Sequence, residues 1–226
     1  KELASGQLKD EANAWFVGEP FKVFYDYKKE GIWQLGEEAA AAANGQEPGD
    51  IKVQDVDGNG VITTDDRIIY SQRPDVTFGF NNTFNYKGFD LSVFLYARLG
   101  QWIAYDYNTT YRINALENGG NVDYWTPENP TNAFPRPNKS KSYTQVTYYS
   151  TLKYEDGSFF KIRDITLGYT FKPELLKHLN LSRLRVYATA KNFFTFSHLD
   201  DYDPERGGSL SYPMTKQAVF GINVDF

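Results

Sequence analysis

The residues best suited to chemistry in this chain form a short acidic segment at positions 55–66. Asp55, Asp57 and Asn59 occupy alternate positions, and Gly60 follows them directly. This is the spacing of an EF-hand-type calcium loop, in which alternate side chains supply oxygens and the glycine permits a sharp turn. Because Ca²⁺ prefers about six to eight hard oxygen ligands, this segment predicts a calcium site.

The remaining positions of the segment complete the predicted ligand set. Val61 is placed to offer its backbone carbonyl, and Thr63 to bind directly or through a water molecule. Asp66 stands where such loops usually carry glutamate, so the loop must close more tightly or bind calcium more weakly. The alternative is a metal-free turn, since Asp, Asn and Gly favour tight turns by themselves. The number of matched positions favours calcium.

No catalytic arrangement accompanies this loop, and the sequence predicts a protein that is not an enzyme. The two histidines, His178 and His198, lie far apart and away from any nucleophile motif. The absence of cysteine excludes disulfides and thiolate metal sites. A net charge of -5 argues against a nucleic-acid partner, which needs a basic surface. The acidic residues between positions 200 and 205 are more typical of a solvated loop than of a site.

From residue 76 onward the chain alternates between apolar and polar residues. Phe78, Phe80 and Phe84 share one phase, whereas Thr77 and Asn81 share the other. A period of two with this contrast is typical of a strand that has one apolar and one polar face. The same pattern predicts strands at residues 76–86, 89–101, 160–171, 183–195 and 216–226.

The lengths of the connections alternate as well. Lys87-Gly88 is a tight turn, and a short helical turn begins at Pro173, whereas residues 102–159 and 197–215 form long loops. Short periplasmic turns and long extracellular loops are the signature of outer-membrane barrels. The predicted strands also have the length of roughly 9–11 residues that a barrel strand needs to cross a bilayer. A soluble β-sandwich alternates in the same way and remains the alternative.

Residues 1–75 are predicted to be an irregular extracellular region that contains the calcium loop, with a short helix at 37–43. The chain has no signal peptide at its start, so we expect a processed or truncated piece. Aromatic residues in the long loop suit sugar rings or membrane interfaces. We expect Trp102 at the membrane boundary, and we assign Trp125, Tyr124 and Tyr107 as substrate contacts.

Several segments then resemble the C-terminal region of the SusC/RagA family of TonB-linked outer-membrane proteins. The resemblance covers the chain from about Trp15 to Phe226, in the family's order. Its most specific segments are Pro48–Lys52 with Asp55–Ile62, Pro74–Asp75 before Phe78–Asn81, Tyr86–Ser92, Phe159–Tyr169, Leu184–Ala188 with Asn192–Thr195, and Tyr212–Met214.

The resemblance implies an all-β fold, the C-terminal strands (76–226) of a plugged, roughly 22-stranded transmembrane barrel. It implies a nutrient importer of the outer membrane, which takes up an oligosaccharide or peptide together with a SusD-like surface lipoprotein. TonB would supply the energy through an N-terminal part that this chain lacks. The alternative function is a secreted, calcium-binding β-sandwich that binds glycans.

Overall fold

The computed structural model describes residues 2–3, 6–21, 23–111, 113, 121–142, 145–199 and 202–226. The helices are α1 (Glu38–Ala43) and α2 (Pro173–Leu176). None of the helices in these ranges combines the length and hydrophobicity that a membrane-crossing helix needs. The strands, in chain order, are β1 (Lys9–Asp10), β2 (Trp15–Phe16), β3 (Phe24–Tyr27), β4 (Lys29–Ile32), β5 (Ile51–Val53), β6 (Arg67–Tyr70), β7 (Val76–Tyr86), β8 (Phe89–Leu99), β9 (Trp102–Ala104), β10 (Tyr154–Asp156), β11 (Phe159–Thr170), β12 (Arg183–Phe196) and β13 (Gln217–Asp225).

The chain divides into two compact units, each assembled from separate segments. The first unit contains Lys1–Arg73, Trp102–Glu155 and Gly207–Leu210. The second contains Pro74–Gln101, Asp156–Arg206 and Ser211–Phe226. The predicted long loop at 102–159 therefore belongs largely to the first unit, because its aromatic and aliphatic side chains join a core there.

The second unit is built on one five-stranded antiparallel sheet with the strand order β13-β12-β11-β8-β7. Its strands are 11, 11, 12, 14 and 9 residues long in chain order. They lie within about two residues of the predicted bounds, as expected when period-two patterning dominates the local sequence. The sheet is open, with β7 and β13 at its edges.

The register shows which side chains share a face, because residues paired across strands point to the same side of a sheet. The rows alternate in character, although Asn82, paired with Val93, is a polar exception on the apolar side. One row across all five strands is Asn85, Asp90, Gly168, Tyr187 and Gly221, and a neighbouring row is Phe84, Leu91, Leu167, Ala188 and Phe220.

A β-bulge interrupts this alternation near one end of β11. Lys161 pairs with Tyr96, and Asp164 pairs with Phe94, so Lys161 and Asp164 share the polar face although an odd number of positions separates them. Arg163 is the extra residue. The bulge turns a lysine onto the polar face that a strict period of two would send to the apolar face.

The first unit packs around a small mixed core. Ile32 and Ile51, from the antiparallel pair β4–β5, contact buried residues of the segment between β8 and β11. The buried members of this core are Ile32, Ile51, Val53, Tyr111, Ile113, Trp125, Tyr149 and Leu152. The predicted short helix is present as α1, and Ala41 is its buried residue.

Candidate functional site

The apolar face of the five-stranded sheet is exposed. Phe220 is 82% exposed and Ile222 is 68% exposed, and both lie in β13 on the apolar face of the sheet. Phe84 and Leu167, from two other strands, are exposed on the same side. Soluble proteins rarely expose a contiguous apolar patch of this kind. Such a patch marks a surface that contacts a membrane or another protein.

The opposite face of the sheet is polar and internally hydrogen-bonded. Arg185 forms a two-point contact with Asp90, with Nε–Oδ1 at 2.8 Å and Nη2–Oδ2 at 2.5 Å. The Oγ1 atoms of Thr166 and Thr189 lie 2.8 Å apart across β11 and β12. Such a wall suits a water-filled or protein-filled lumen, because polar side chains that face each other across its strands are hydrogen-bonded to one another.

Two glycines on this polar face make room for larger neighbours. A Cβ on Gly168 would lie 2.5 Å from both the Arg185 guanidinium and the Asp90 carboxylate. A Cβ on Gly221 would meet the ring of Tyr187. Each glycine therefore allows a cross-strand side chain to lie flat over the backbone of the sheet.

Lys161 lies two positions before the extra residue of the bulge, and it holds the connection between β12 and β13 against the polar face of the sheet. Lys161 is completely buried, and its Nζ lies 2.7 Å from Asp203 Oδ2 and 2.6 Å from Glu205 Oε2. Arg163 Nη1 lies 3.3 Å from Glu205 Oε1, and Thr195 Oγ1 donates to Asp203 Oδ2 at 3.1 Å. The predicted solvated acidic loop is therefore wrong for Asp203 and Glu205, while positions 200 and 201 lie outside the described residues.

In the first unit, the predicted calcium loop gathers three carboxylates. One oxygen each from Asp55, Asp57 and Asp66 lies within 4.8 Å of the others. Asp55 accepts hydrogen bonds from the backbone N–H of Gly58 at 2.8 Å and from that of Gly60 at 2.7 Å. The loop is thereby wound around the Asp55 side chain, as an Asx-type turn requires.

Asp66 anchors the end of this loop from inside the protein. It is fully buried, and its Oδ2 accepts from the Thr63 N–H at 2.7 Å while Oδ1 accepts from the Val56 N–H at 2.8 Å. These hydrogen bonds, led by that from Thr63, hold the pKa of the Asp66 carboxyl below its ordinary value. The ionised form of Asp66 therefore fixes both ends of the loop.

The other predicted ligands lie on the same turn. Asn59 Nδ2 donates to Asp57 Oδ2 at 2.7 Å, and Asn59 Oδ1 accepts from the Val61 N–H at 2.8 Å. Gly60 has a φ of 85°, the left-handed conformation that favours glycine. Three close carboxylates repel one another unless a cation lies among them, so this donor set fits a hard divalent ion such as Ca²⁺.

The three aromatic residues assigned as substrate contacts differ in how far they are buried. Trp125 is buried in the core of the first unit, and its Nε1 donates to Gln34 Oε1 at 2.8 Å. It is a packing residue, so it does not offer a face to a ligand. Tyr124 is exposed, and the half-buried Tyr107 has its ring centre 6.0 Å from that of Tyr105.

Trp102 was expected at the membrane boundary, but it packs within the first unit. It lies in β9, and its ring meets that of Tyr70 edge to face at 4.8 Å. Trp102 lies outside the five-stranded sheet and is partly exposed, and its expected position at the membrane boundary stays a prediction. A tryptophan near the end of a predicted strand carries no signal that distinguishes a membrane girdle from a small aromatic core.

Comparisons with known proteins agree with this geometry, although no family model matches the chain. TonB-dependent receptor P3 of Formosa agariphila is 31% identical over an alignment of 235 positions, which covers 92% of this chain and 22% of the receptor. TonB-dependent receptor SusC of Bacteroides thetaiotaomicron is 30% identical over 181 residues, which cover 76% of this chain and 17% of SusC.

Solved structures give the same result for the fold. A structure of the RagAB peptide transporter superposes with a TM-score of 0.69 at 24% identity, over 94% of this chain and 24% of that one. A structure of the RagAB peptide importer in the 'open-open' state gives a TM-score of 0.65 at 26% identity, over 94% of this chain and 23% of that one.

An open antiparallel sheet with an exposed apolar face and a paired polar face is a piece of outer-membrane β-barrel wall. The chain belongs to the TonB-dependent receptors of the SusC and RagA type, which are outer-membrane barrel proteins. The family, the fold class and the outer-membrane location expected from the sequence are confirmed. The chain spans about a fifth of the length of the curated relatives, at 22% and 17%.

Proposed function

We propose that this chain forms part of the wall of a TonB-dependent nutrient importer in the outer membrane. The observation that carries the proposal is the two-faced sheet, in which the apolar rows are exposed and the polar rows are cross-linked by hydrogen bonds. In a barrel the apolar rows would contact lipid and the polar rows would line the interior. The β-sandwich alternative would instead bury the apolar rows against a second sheet.

Cysteine labelling tests this orientation, because the chain has no cysteine of its own. Val93 lies in an apolar row near the middle of β8, and Ser92 is its neighbour on the polar face. In the native protein within outer membranes, we expect a membrane-impermeant maleimide to label Ser92→Cys after outer-membrane permeabilisation and to leave Val93→Cys unlabelled. Equal labelling of both variants, or a protein that is monomeric in buffer without detergent, would contradict the proposal.

We propose that the cargo is an oligosaccharide or a peptide and that a surface lipoprotein of the SusD type assists its capture. Support comes from the similarity of this chain to the SusC receptor and to the RagAB peptide transporter. TonB would provide the energy, and we infer no catalytic role for this chain. The proposal predicts that the lipoprotein co-purifies with the native protein in detergent and that uptake of labelled cargo requires TonB.

Tyr124 and Tyr107 remain the aromatic residues of this chain proposed to contact cargo, since Trp125 is buried. We expect Tyr124→Ala to reduce cargo binding without reducing the amount of folded protein. A variant that binds cargo as tightly as the native protein would remove Tyr124 from the proposed contact surface. Trp125→Ala is unsuitable for this test, because it would disturb the core of the first unit.

A second proposal concerns calcium. We propose that Ca²⁺ binds to Asp55, Asp57, Asn59, Val61 through its carbonyl, Thr63 and Asp66, and orders the loop. The specific observation in favour is the approach of three carboxylates to within 4.8 Å on a loop with calcium-type spacing. Bound calcium would neutralise these carboxylates and stiffen the loop, and it would take part in no reaction step.

A matched pair of variants tests the calcium site. Asp57→Asn removes one proposed ligand charge, whereas Asp65→Asn removes an exposed charge of the same loop that lies outside the proposed set. We expect Asp57→Asn to weaken terbium luminescence and calcium-dependent protection of the loop from protease, and Asp65→Asn to change neither. Equal metal content in the native protein and Asp57→Asn would refute the site.

A further inference from the structure

The connection between β11 and β12 exposes two leucines at the end of the sheet. We call residues 172–179 the rim segment; it contains α2 and the 3-10 turn Lys177–Leu179. Leu175 is 61% exposed and Leu179 is 62% exposed, whereas Leu176 is buried and fixes the segment. Leu175 lies in α2 and Leu179 ends the 3-10 turn, so one short segment exposes two large apolar side chains.

The rim segment lies at the end of the sheet where the short turns gather. Thr170 N–H donates to the Gly88 carbonyl at 2.7 Å, which joins this end of β11 to the β7–β8 turn. Ser182 N–H donates to the Asp225 carbonyl at 2.8 Å, which joins the start of β12 to the end of β13. This is the end that faces the periplasm in a barrel.

The apolar face of the sheet ends in aromatic rings beside the rim segment. Phe89 and Tyr169 pair across β8 and β11, with ring centres 4.7 Å apart. Phe171, which directly precedes the segment, meets Tyr169 edge to face at 5.1 Å. Outer-membrane barrels carry girdles of aromatic residues at both membrane interfaces. Leu175 and Leu179 follow these rings in the chain and lie at the same end of the sheet.

The charge of this rim is opposite in sign to that of the whole chain. Lys172, Lys177, Arg183 and Lys87 are exposed at this end, and they outnumber the exposed acidic residues, which are Glu174 within the segment and Asp225 on β13. The chain as a whole carries a net charge of -5. Basic residues next to an exposed apolar surface are the combination that binds anionic lipid at a membrane surface.

We propose that the rim segment is an interfacial anchor for the periplasmic leaflet. Leu175 and Leu179 insert at the boundary between headgroups and acyl chains, and Lys172 and Lys177 bind the phosphates of anionic phospholipid. The inference rests on the outer-membrane orientation proposed above. Lipid is the favoured occupant because the segment lies where the apolar face ends in aromatic rings and because it carries the complementary charge. A segment of this size also presents far less area than a stable protein interface buries.

Spin labels at single cysteines test the anchor in the native protein, reconstituted in bilayers of phosphatidylethanolamine and phosphatidylglycerol. For Leu175→Cys and Leu179→Cys we expect high accessibility to oxygen and low accessibility to a water-soluble nickel complex. Glu174→Cys is the matched control, and we expect nickel to reach it. If nickel reaches all three positions, or if the leucine positions exclude both reagents as in a protein contact, the anchor is refuted.

A label at Val93→Cys, in an apolar row of the sheet, separates this inference from the orientation on which it rests. If Val93→Cys reports lipid while positions 175 and 179 report water, only the anchor fails. If Val93→Cys does not report lipid, the orientation itself fails.

The basic half of the anchor has its own test. We expect Lys172→Gln/Lys177→Gln to weaken binding of phosphatidylglycerol to the detergent-solubilised native protein roughly 30-fold, the effect of two lysines near an anionic surface. Lys139→Gln/Lys141→Gln removes two exposed lysines of the first unit and is the matched control. Equal affinity in the two double variants would overturn the assignment of the lysines.

Discussion

Removal of the Lys161 ammonium should release the β12–β13 connection from the sheet. Lys161 is fully buried between Asp203 and Glu205, at 2.7 and 2.6 Å, and both carboxylates are largely buried as well. In Lys161→Met, Asp203 would lose its counter-ion, and Glu205 would keep only the partly exposed Arg163, whose Nη1 lies 3.3 Å from its Oε1. Breaking a buried ion pair by deleting one partner costs about 3–5 kcal/mol, because the remaining charge stays desolvated.

Hydrogen exchange is the assay that isolates this local effect. A loss of about 3–5 kcal/mol corresponds to a fall in protection of roughly a hundredfold to a few thousandfold. We expect the change in peptides from residues 197–216 and in the adjacent end of β11, because loops open locally before the sheet unfolds. The β7–β8 hairpin should keep its protection.

Lys191→Met is the matched control for this prediction. Lys191 lies on the same face and reaches Asp164 at 3.4 Å, but both side chains are substantially exposed. An exposed pair of this kind contributes about 0–1 kcal/mol, so the variant should exchange almost as the native protein does. Equal exchange in Lys161→Met and Lys191→Met would refute the reasoning. Combining Lys161→Met with Asp203→Asn and Glu205→Gln should recover most of the protection, because no buried charge is left unpaired.

Three further predictions concern other parts of the chain. Gly168→Ala should lower the free energy of unfolding by about 1–3 kcal/mol, because its Cβ would lie 2.5 Å from the ion pair beside it, whereas Gly79→Ala, with 3.6 Å to its neighbour, should cost less; heat-modifiable gel mobility measures both. The ionised Asp66 carboxylate stabilises the loop, because folding lowers its pKa below the ordinary value of 3.8. This stabilisation is complete above pH 3.8 and should be lost as the pH falls through the lowered pKa. Hydrogen exchange of residues 55–66 should therefore become faster in acid relative to the unfolded rate, and Asp66→Asn should not show this change. Trp125→Ala should cost about 3–5 kcal/mol in chemical unfolding of the first unit, and Tyr124→Ala far less, since only the first side chain is buried; equal losses would contradict the core assignment.

The second unit was predictable because its signals are local. Alternation along β7 and β13 depends only on neighbouring residues, and the same holds for the acidic loop, whose spacing lies within a dozen positions. The strand pattern is present in the structure because every apolar row of the sheet is exposed on the same face. The orientation of each strand therefore follows from its own sequence.

The features that were missed depend on distant partners. The bulge at Arg163 follows from the pairing of β11 with both neighbouring strands. It turns Lys161 toward carboxylates of a distant loop, and Glu205 is 44 positions away in the sequence. The burial of Trp125 depends on β4 and β5, which lie far upstream. Nothing in a window of a few residues distinguishes a solvated aspartate from a paired one, or a loop tryptophan from a core tryptophan.

The two glycines of the polar face also imply an asymmetry in how this wall can diverge among related sequences. An outward position needs only an apolar side chain of almost any shape, because fluid lipid adapts to it. An inward position such as Gly168 or Gly221 is constrained by the side chain across the strand, Arg185 or Tyr187. Substitutions should therefore accumulate singly on the outside and in correlated pairs on the inside. The outer surface preserves a chemical class, whereas the inner surface preserves particular partnerships.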